Sequence, residues 1–258
     1  MNERMPVVFM GHGSPMNAAE DNEFSRSWVR LGRELPRPKA ILAVSAHWYA
    51  GKSLVCADES PRMIYDMYGF PDELYRIKYP APGAPDIAVR AAELSGGAAA
   101  EAGAWGIDHG VWSLLRWMYP GADIPVVPMS VNGKAAPETL FEIGRRLRPL
   151  RDEGVLILAS GNVVHNLALV NWGMDGGYDW ADEFDLWVEN KIRAEKYADI
   201  IDWRSAGKCA DKAFSTPDHF LPLLYALGAA DENDAVRVVN DARPMGALSM
   251  TGYVFERR

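Results

Sequence analysis

Residues 155–160 read VLILAS. The run carries no charge, and its apolar residues do not alternate with polar ones. A strand with one wet face alternates, so this one is expected to be covered on both faces, as in a parallel sheet with helices on either side. Upstream, APETLFEIGRRLRPL (136–150) has helical periodicity, and IPVVPMSV (124–131) reads as a strand interrupted by Pro128. HGVWSLLRWMYP (109–120) is a helix stopped by Pro120. DIAVRAAELSGG (86–97) is another, entered through the Pro/Gly-rich loop YPAPGAP (79–85). Three further strands, PVVFM (6–10), KAILAVSAHW (39–48) and SLVCA (53–57), surround the helix DNEFSRSWVRLGREL (21–35), whose Phe24, Trp28 and Leu31 share a face. Downstream lie the helices WADEFDLWVENKIRAEKY (180–197) and HFLPLLYALGAA (219–230), the second kinked or started near Pro222. The strands AVRVVN (235–240) and MTGYVFE (250–256) close the chain. Strand–helix alternation without a repeat or linker predicts an α/β fold. It is expected to be a single domain over residues 1–258, with a central mostly parallel or mixed β-sheet flanked by helices.

Composition narrows the function classes. The net charge of −8 disfavours nucleic acid and anionic membranes, which attract basic surfaces. The one basic cluster, Arg145, Arg146, Arg148 and Arg151, reads as a solvated helix end. Two cysteines, Cys56 and Cys209, make neither a disulfide framework nor a zinc ribbon, and Cys56 reads as a core strand residue. MNERMPVVFM lacks the apolar stretch of a signal peptide, and no run approaches a membrane span, so a cytoplasmic enzyme or binding protein is expected.

The chain has five histidines, in the contexts FMGHGSP, AVSAHWY, GIDHGVW, ASGNVVHNL and TPDHFLP. His12 and His47 stand where apolar strand runs end, and His165 follows VLILAS by a short segment. Strand ends line the ligand crevice of an open α/β sheet. His109 and His219 each follow an aspartate and open an apolar helix. A single histidine is more often a hydrogen-bonded structural residue than a ligand. Five at junctions, and none on a surface helix face, favour chemistry, because imidazole is both a common metal ligand and the acid/base of neutral pH. Gly11 and Gly13 beside His12 give the backbone freedom for a ligand's close approach. No His-Glu-x-x-His or Cys-x-x-Cys occurs, so a metal site must be assembled from distant segments.

Six segments in order, FMGHGSP, ILAVSAHW, YDMYGFPDELYRIKYPAPGAP, WGIDHGVWSLLRWMYPGADIPVVPMSVN, ASGNVVHNL and DHFLPLLYALGAA, resemble the class III extradiol ring-cleavage dioxygenases. The similarity is to the branch of this LigB superfamily that contains 4,5-DOPA extradiol dioxygenase. It implies one divalent metal ion per chain, Fe(II) in catalysis and Zn(II) in isolated protein, with a catechol and O2 as reactants. By this resemblance His12, His47 and His219 match metal ligands. His165 matches an acid/base that also reaches the metal when no substrate is bound, and His109 a second catalytic histidine facing the substrate. Three imidazoles depart from the 2-His-1-carboxylate triad and also suit zinc. The resemblance further implies that His165 takes a proton from bound catechol and later returns one.

Other roles stay open. Asp108 reads equally as a partner orienting an imidazole or as a helix cap, whereas Asp218 reads better as a cap. Trp48, Tyr68, Phe70 and Trp112 are candidates to wall a flat aromatic site and equally candidates for core. The same histidines would serve a zinc-dependent hydrolase, or a non-catalytic metal-binding relative on this fold. A serine hydrolase is disfavoured, because no Gly-x-Ser-x-Gly elbow exists and Ser14 and Ser160 have no evident partner.

Overall fold

The computed structural model describes residues 4–258; residues 1–3, the start of the expected domain, lie outside the described residues. In chain order the elements are β1 (Val7–Gly11), α1 (Glu23–Glu34), β2 (Ala40–Ala50), β3 (Leu54–Cys56), α2 (Asp72–Arg76), α3 (Pro85–Ser95), β4 (Ala99–Glu101), α4 (His109–Met118) and β5 (Val126–Asn132). There follow α5 (Pro137–Leu147), α6 (Pro149–Asp152), β6 (Val155–Gly161), α7 (Asp179–Arg193), α8 (Tyr197–Ile201), α9 (Ala210–Ala213), α10 (Pro222–Ala229), β7 (Asp234–Val239) and β8 (Gly252–Arg257). The strands form one eight-stranded sheet in the order β4-β3-β5-β2-β6-β1-β8-β7. The sheet is mixed. The four central strands β5, β2, β6 and β1 are parallel, while β8 runs antiparallel to β1, β7 to β8 and β3 to β5.

The run 155–160 sits at the centre, between β2 and β1. Its alternate residues feed two different cores. Val155, Ile157 and Ala159 pack with α5, α7 and α10, and Leu156 and Leu158 pack with α1 and α4. All five are fully buried, and each large aliphatic side chain contributes roughly 1.5–3 kcal/mol. Helices on both faces therefore account for its continuous apolar character.

The expected elements are present, with differences at prolines and short pieces. β5 is not interrupted at Pro128; its register with β2 continues through that residue. The ladder begins with the Ile41 N–H donating to the Pro125 carbonyl, so parallel alternation turns the Pro128 nitrogen toward β3. β3 meets β5 only at Val55↔Met129, so the missing donor falls at this short pairing and leaves the long ladder with β2 intact. The helix expected over 136–150 breaks at Pro149 into α5 and α6. Pro222 starts α10 at its first turn, where its missing N–H costs nothing.

The basic cluster is corrected. Arg145 and Arg146 are surface residues paired with Glu142, but Arg151 is fully buried. Its guanidinium donates at 2.7 and 2.9 Å to both carboxylate oxygens of Asp234, at 2.8 Å to the Met5 carbonyl and at 3.1 Å to the Ala229 carbonyl. Arg148 donates to the Gly228 and Ala230 carbonyls, satisfying acceptors at the end of α10. Cys56 is buried, as expected of a core strand residue.

Candidate metal centre

The parallel strands deliver the site at their C-terminal ends. β1 ends at Gly11, and His12 follows with its N–H bonded to the Gly161 carbonyl. A side chain at position 11 would strike the Met250 backbone at 2.7 Å, so only glycine lets the two chains close around His12. His47 lies inside β2, where the pairing with β5 slips between Ser45 and Tyr49. Such an irregularity re-aims side chains at a strand end. His109 opens α4, His165 is held by its N–H to the Ala213 carbonyl, and His219 ends a 3-10 turn, Pro217–His219.

All five histidines line one pocket of about 400 Å³, together with Gly13, Ser14, Pro15, Asp66, Met67, Tyr68, Phe70, Leu167 and Trp172. The rings of His12 and His47 lie 5.0 Å apart, those of His47 and His109 4.0 Å, and those of His12 and His219 5.2 Å. His165 and His219 stack at 3.5 Å. The nitrogens of His12, His47 and His109 lie mutually within 4.8 Å, close enough to share one ion.

Partner chemistry sets the tautomers. Ser160 donates its hydroxyl proton to the Gly110 carbonyl, so its Oγ accepts from His12 Nδ1 at 2.9 Å. His109 Nδ1 donates to Asp66 Oδ1 at 3.0 Å, and His219 Nδ1 to Asp218 Oδ2 at 2.5 Å. His47 Nδ1 lies 2.8 Å from Asp66 Oδ2, at ion-pair distance but poorly aligned for a hydrogen bond. His12, His109 and His219 thus carry a proton on Nδ1 and turn a bare Nε2 inward, and the carboxylate beside His47 Nδ1 favours the same tautomer there. The Nε2 atoms of His12 and His47 face each other at 3.1 Å, and Nε2 of His219 is buried without a partner. Opposed lone pairs and an orphaned acceptor are what a cation would satisfy, so the residues fit a divalent metal.

The electrostatics agree with neutral rings. Burial holds His12 and His219 well below the ordinary imidazole value, and the neighbouring histidines add to it. Burial also lowers His109, with Asp66 opposing, and brings His165 down to about 4. His47 is the exception. Burial pushes it down, but the contact with Asp66 and the charge of Asp108 outweigh that and raise it.

The predicted residues all reach the pocket, but several supporting roles differ from expectation. Asp218 is not a helix cap; it orients His219 and accepts from the Thr216 hydroxyl. Asp108 stands at the start of α4 without a side-chain cap bond, and its carboxylate accepts from Ser45 at 2.7 Å and from the Trp105 indole at 3.0 Å. Sequence reasoning missed Asp66, which takes both the His109 ring proton and the first N–H of α4. The sole signal was its place in the segment YDMYGFPDELY. Ser160, without an evident partner in sequence, positions His12 and is fully buried. Of the four aromatics, Tyr68 and Phe70 line the pocket, whereas Trp48 and Trp112 are core.

Residues 5–256 match the family model described as the catalytic LigB subunit of aromatic ring-opening dioxygenase. The chain belongs to the LigB family. A 4,5-DOPA dioxygenase extradiol of Escherichia coli K12 is 44% identical, covering 96% of this chain and 93% of that protein. A protein of the same name from Beta vulgaris is 36% identical, covering 96% of each. The crystal structure of an uncharacterized protein from E. coli K12 superposes with a TM-score of 0.85 at 41% identity, covering 97% of this chain and 99% of that one. As a LigB member, the protein is an extradiol ring-cleaving dioxygenase whose reactants are a small molecule and O2. Among the described residues, no helix is long and apolar enough to cross a membrane.

Proposed function

We propose that the protein opens the ring of a catechol beside its hydroxyl pair, giving a ring-opened semialdehyde, at one divalent metal held by His12, His47 and His219. The observation that carries this is the facing of the His12 and His47 Nε2 atoms, with the orphaned Nε2 of His219 in the same pocket, at the bottom of a cavity with an apolar wall. Bound iron(II) would bring catechol and dioxygen together and favour loss of a phenolic proton. The protein's own contribution is proton handling and placement. His165 is neutral at pH 7, because burial brings it down to about 4. It is the base that takes a catechol proton and the acid that returns one. His109, fixed by Asp66, presents its Nε2 to the substrate side of the pocket. Phe70 and Met67 keep water from the ring.

The test is oxygen uptake by iron-loaded protein across a panel of catechols, with ultraviolet–visible spectra for a yellow ring-opened product. Uptake with that product is expected. No uptake with any catechol by metal-replete protein overturns the reading. Metal analysis of variants checks the roles. His219→Ala should lose metal and His165→Ala should retain it while losing turnover. If His109→Ala loses metal and His219→Ala keeps it, the ligand set is instead His12, His47 and His109, the group whose nitrogens lie closest together.

A further inference from the structure

The pocket has a floor and a mouth of opposite chemistry. The floor is five histidines and Asp66; Gly13, Ser14, Pro15, Met67 and Phe70 line the sides, and Tyr68, Leu167 and Trp172 stand exposed at the mouth. Tyr68 is 91% exposed, Trp172 75% and Leu167 62%. Large, mainly apolar side chains exposed around the rim of one cavity mark a surface built to be covered. They come from two segments anchored to the floor, one running on from Asp66 and one from His165. Among the described residues, neither lysine nor arginine lines the pocket. Its one carboxylate, Asp66, is engaged by His109 and His47.

With the catechol oxygens directed to the histidine floor, whatever substituent the ring carries must leave through this mouth. We infer that Tyr68, Leu167 and Trp172 form a subsite for an uncharged, apolar substituent, and that the protein selects such catechols over those ending in a carboxylate or an amino-acid group. This rests on the ring-opening reading above and adds the substrate class. A carboxylate seated against these rings would give up part of its hydration with no cation among the lining residues to replace it. An alkyl or aryl tail would cover the exposed rings at no such penalty. The inference departs from the amino-acid-bearing substrate in the names of the relatives.

The experiment uses metal-loaded full-length protein with catechol, 4-butylcatechol and L-DOPA. Anaerobic titration calorimetry gives the dissociation constants, and oxygen uptake gives kcat/KM. At least about a tenfold preference for 4-butylcatechol over L-DOPA is expected in both. Trp172→Ala should move that ratio toward one, chiefly through KM. Because Trp172 is exposed, its loss removes no core packing. Leu167→Arg, which supplies the missing cation, should raise kcat/KM for L-DOPA and lower it for 4-butylcatechol. Equal binding and turnover of L-DOPA and 4-butylcatechol, or ratios that neither variant moves, overturn the inference. If no catechol consumes oxygen, the ring-opening reading fails on its own, and the anaerobic dissociation constants still decide the tail preference.

Discussion

The two ends of β1 treat buried polar groups in opposite ways. Where the strand begins, Arg151 and Asp234 form an ion pair that is 0% and 2% exposed, and the guanidinium also reaches the Met5 and Ala229 carbonyls. Where it ends, His12 and His47 bring two bare nitrogens face to face, and a third, on His219, is left without a partner. With each of its three guanidinium nitrogens bonded, Arg151 makes the first end a fastener, because removing either partner of the pair strands a buried charge. Incompleteness makes the second end reactive, because the unmet acceptors await a cation and substrate. The same buried sheet thus separates holding from chemistry by the length of one strand.

The largest expected effect falls on the reactive end. His12→Ala should reduce bound metal to background in elemental analysis and abolish oxygen uptake, while the thermal midpoint of metal-free protein stays the same or rises. A large fall in the metal-free midpoint would break the comparison, since it would make His12 a fastener as well. Next, Arg151→Ala should destabilise by about 3–5 kcal/mol in urea titrations, with activity per folded molecule retained.

Asp185 lies between the two regimes. One oxygen holds Thr251, Ser249 and Arg243 at 2.6, 3.1 and 3.2 Å, and the other has no partner. Burial lifts this carboxyl to about 6, against those hydrogen bonds and the charge of Arg243. A raised acid stabilises the fold most in its protonated form. That contribution is complete below the unfolded value near 4 and is lost as pH rises through about 6. The stability gap between Asp185→Asn and the parent should therefore move toward the variant, by up to about 3 kcal/mol, between roughly pH 4 and pH 7. A gap that does not change with pH would count against the assignment. The smallest effect is expected from Asp66→Asn, which keeps the shape but weakens its hold on His47 and His109. Metal affinity should fall by about 10–100-fold, read by chelator competition.

The architecture was legible because its signals are local. VLILAS could be uncharged along its length only if both faces were covered, and the two cores confirm that it is. The histidines were legible as a set by their position at element ends, and all five reach one pocket. What escaped depends on distance along the chain. Arg151 shares its local pattern with solvated Arg145, and only Asp234, 83 positions away, makes it a core residue. Asp66 sits 43 positions from His109, and nothing beside it in sequence shows which rings it will hold. Asp218 was visible next to His219, but a cap and an imidazole partner look alike until the turn places the ring. Pro128 looked like a break because the strand's neighbour on that side could not be known.

Gly110 sets a boundary on how this active site can diversify. A methyl group there would sit 2.8 Å from the His47 ring and 3.3 Å from that of His12, so position 110 in the first turn of α4 is sealed against any side chain. The chamber beneath the substrate is therefore closed to remodelling from that wall. New specificities must arise from the outer loops, where residues 68, 167 and 172 are free to vary without disturbing a single imidazole.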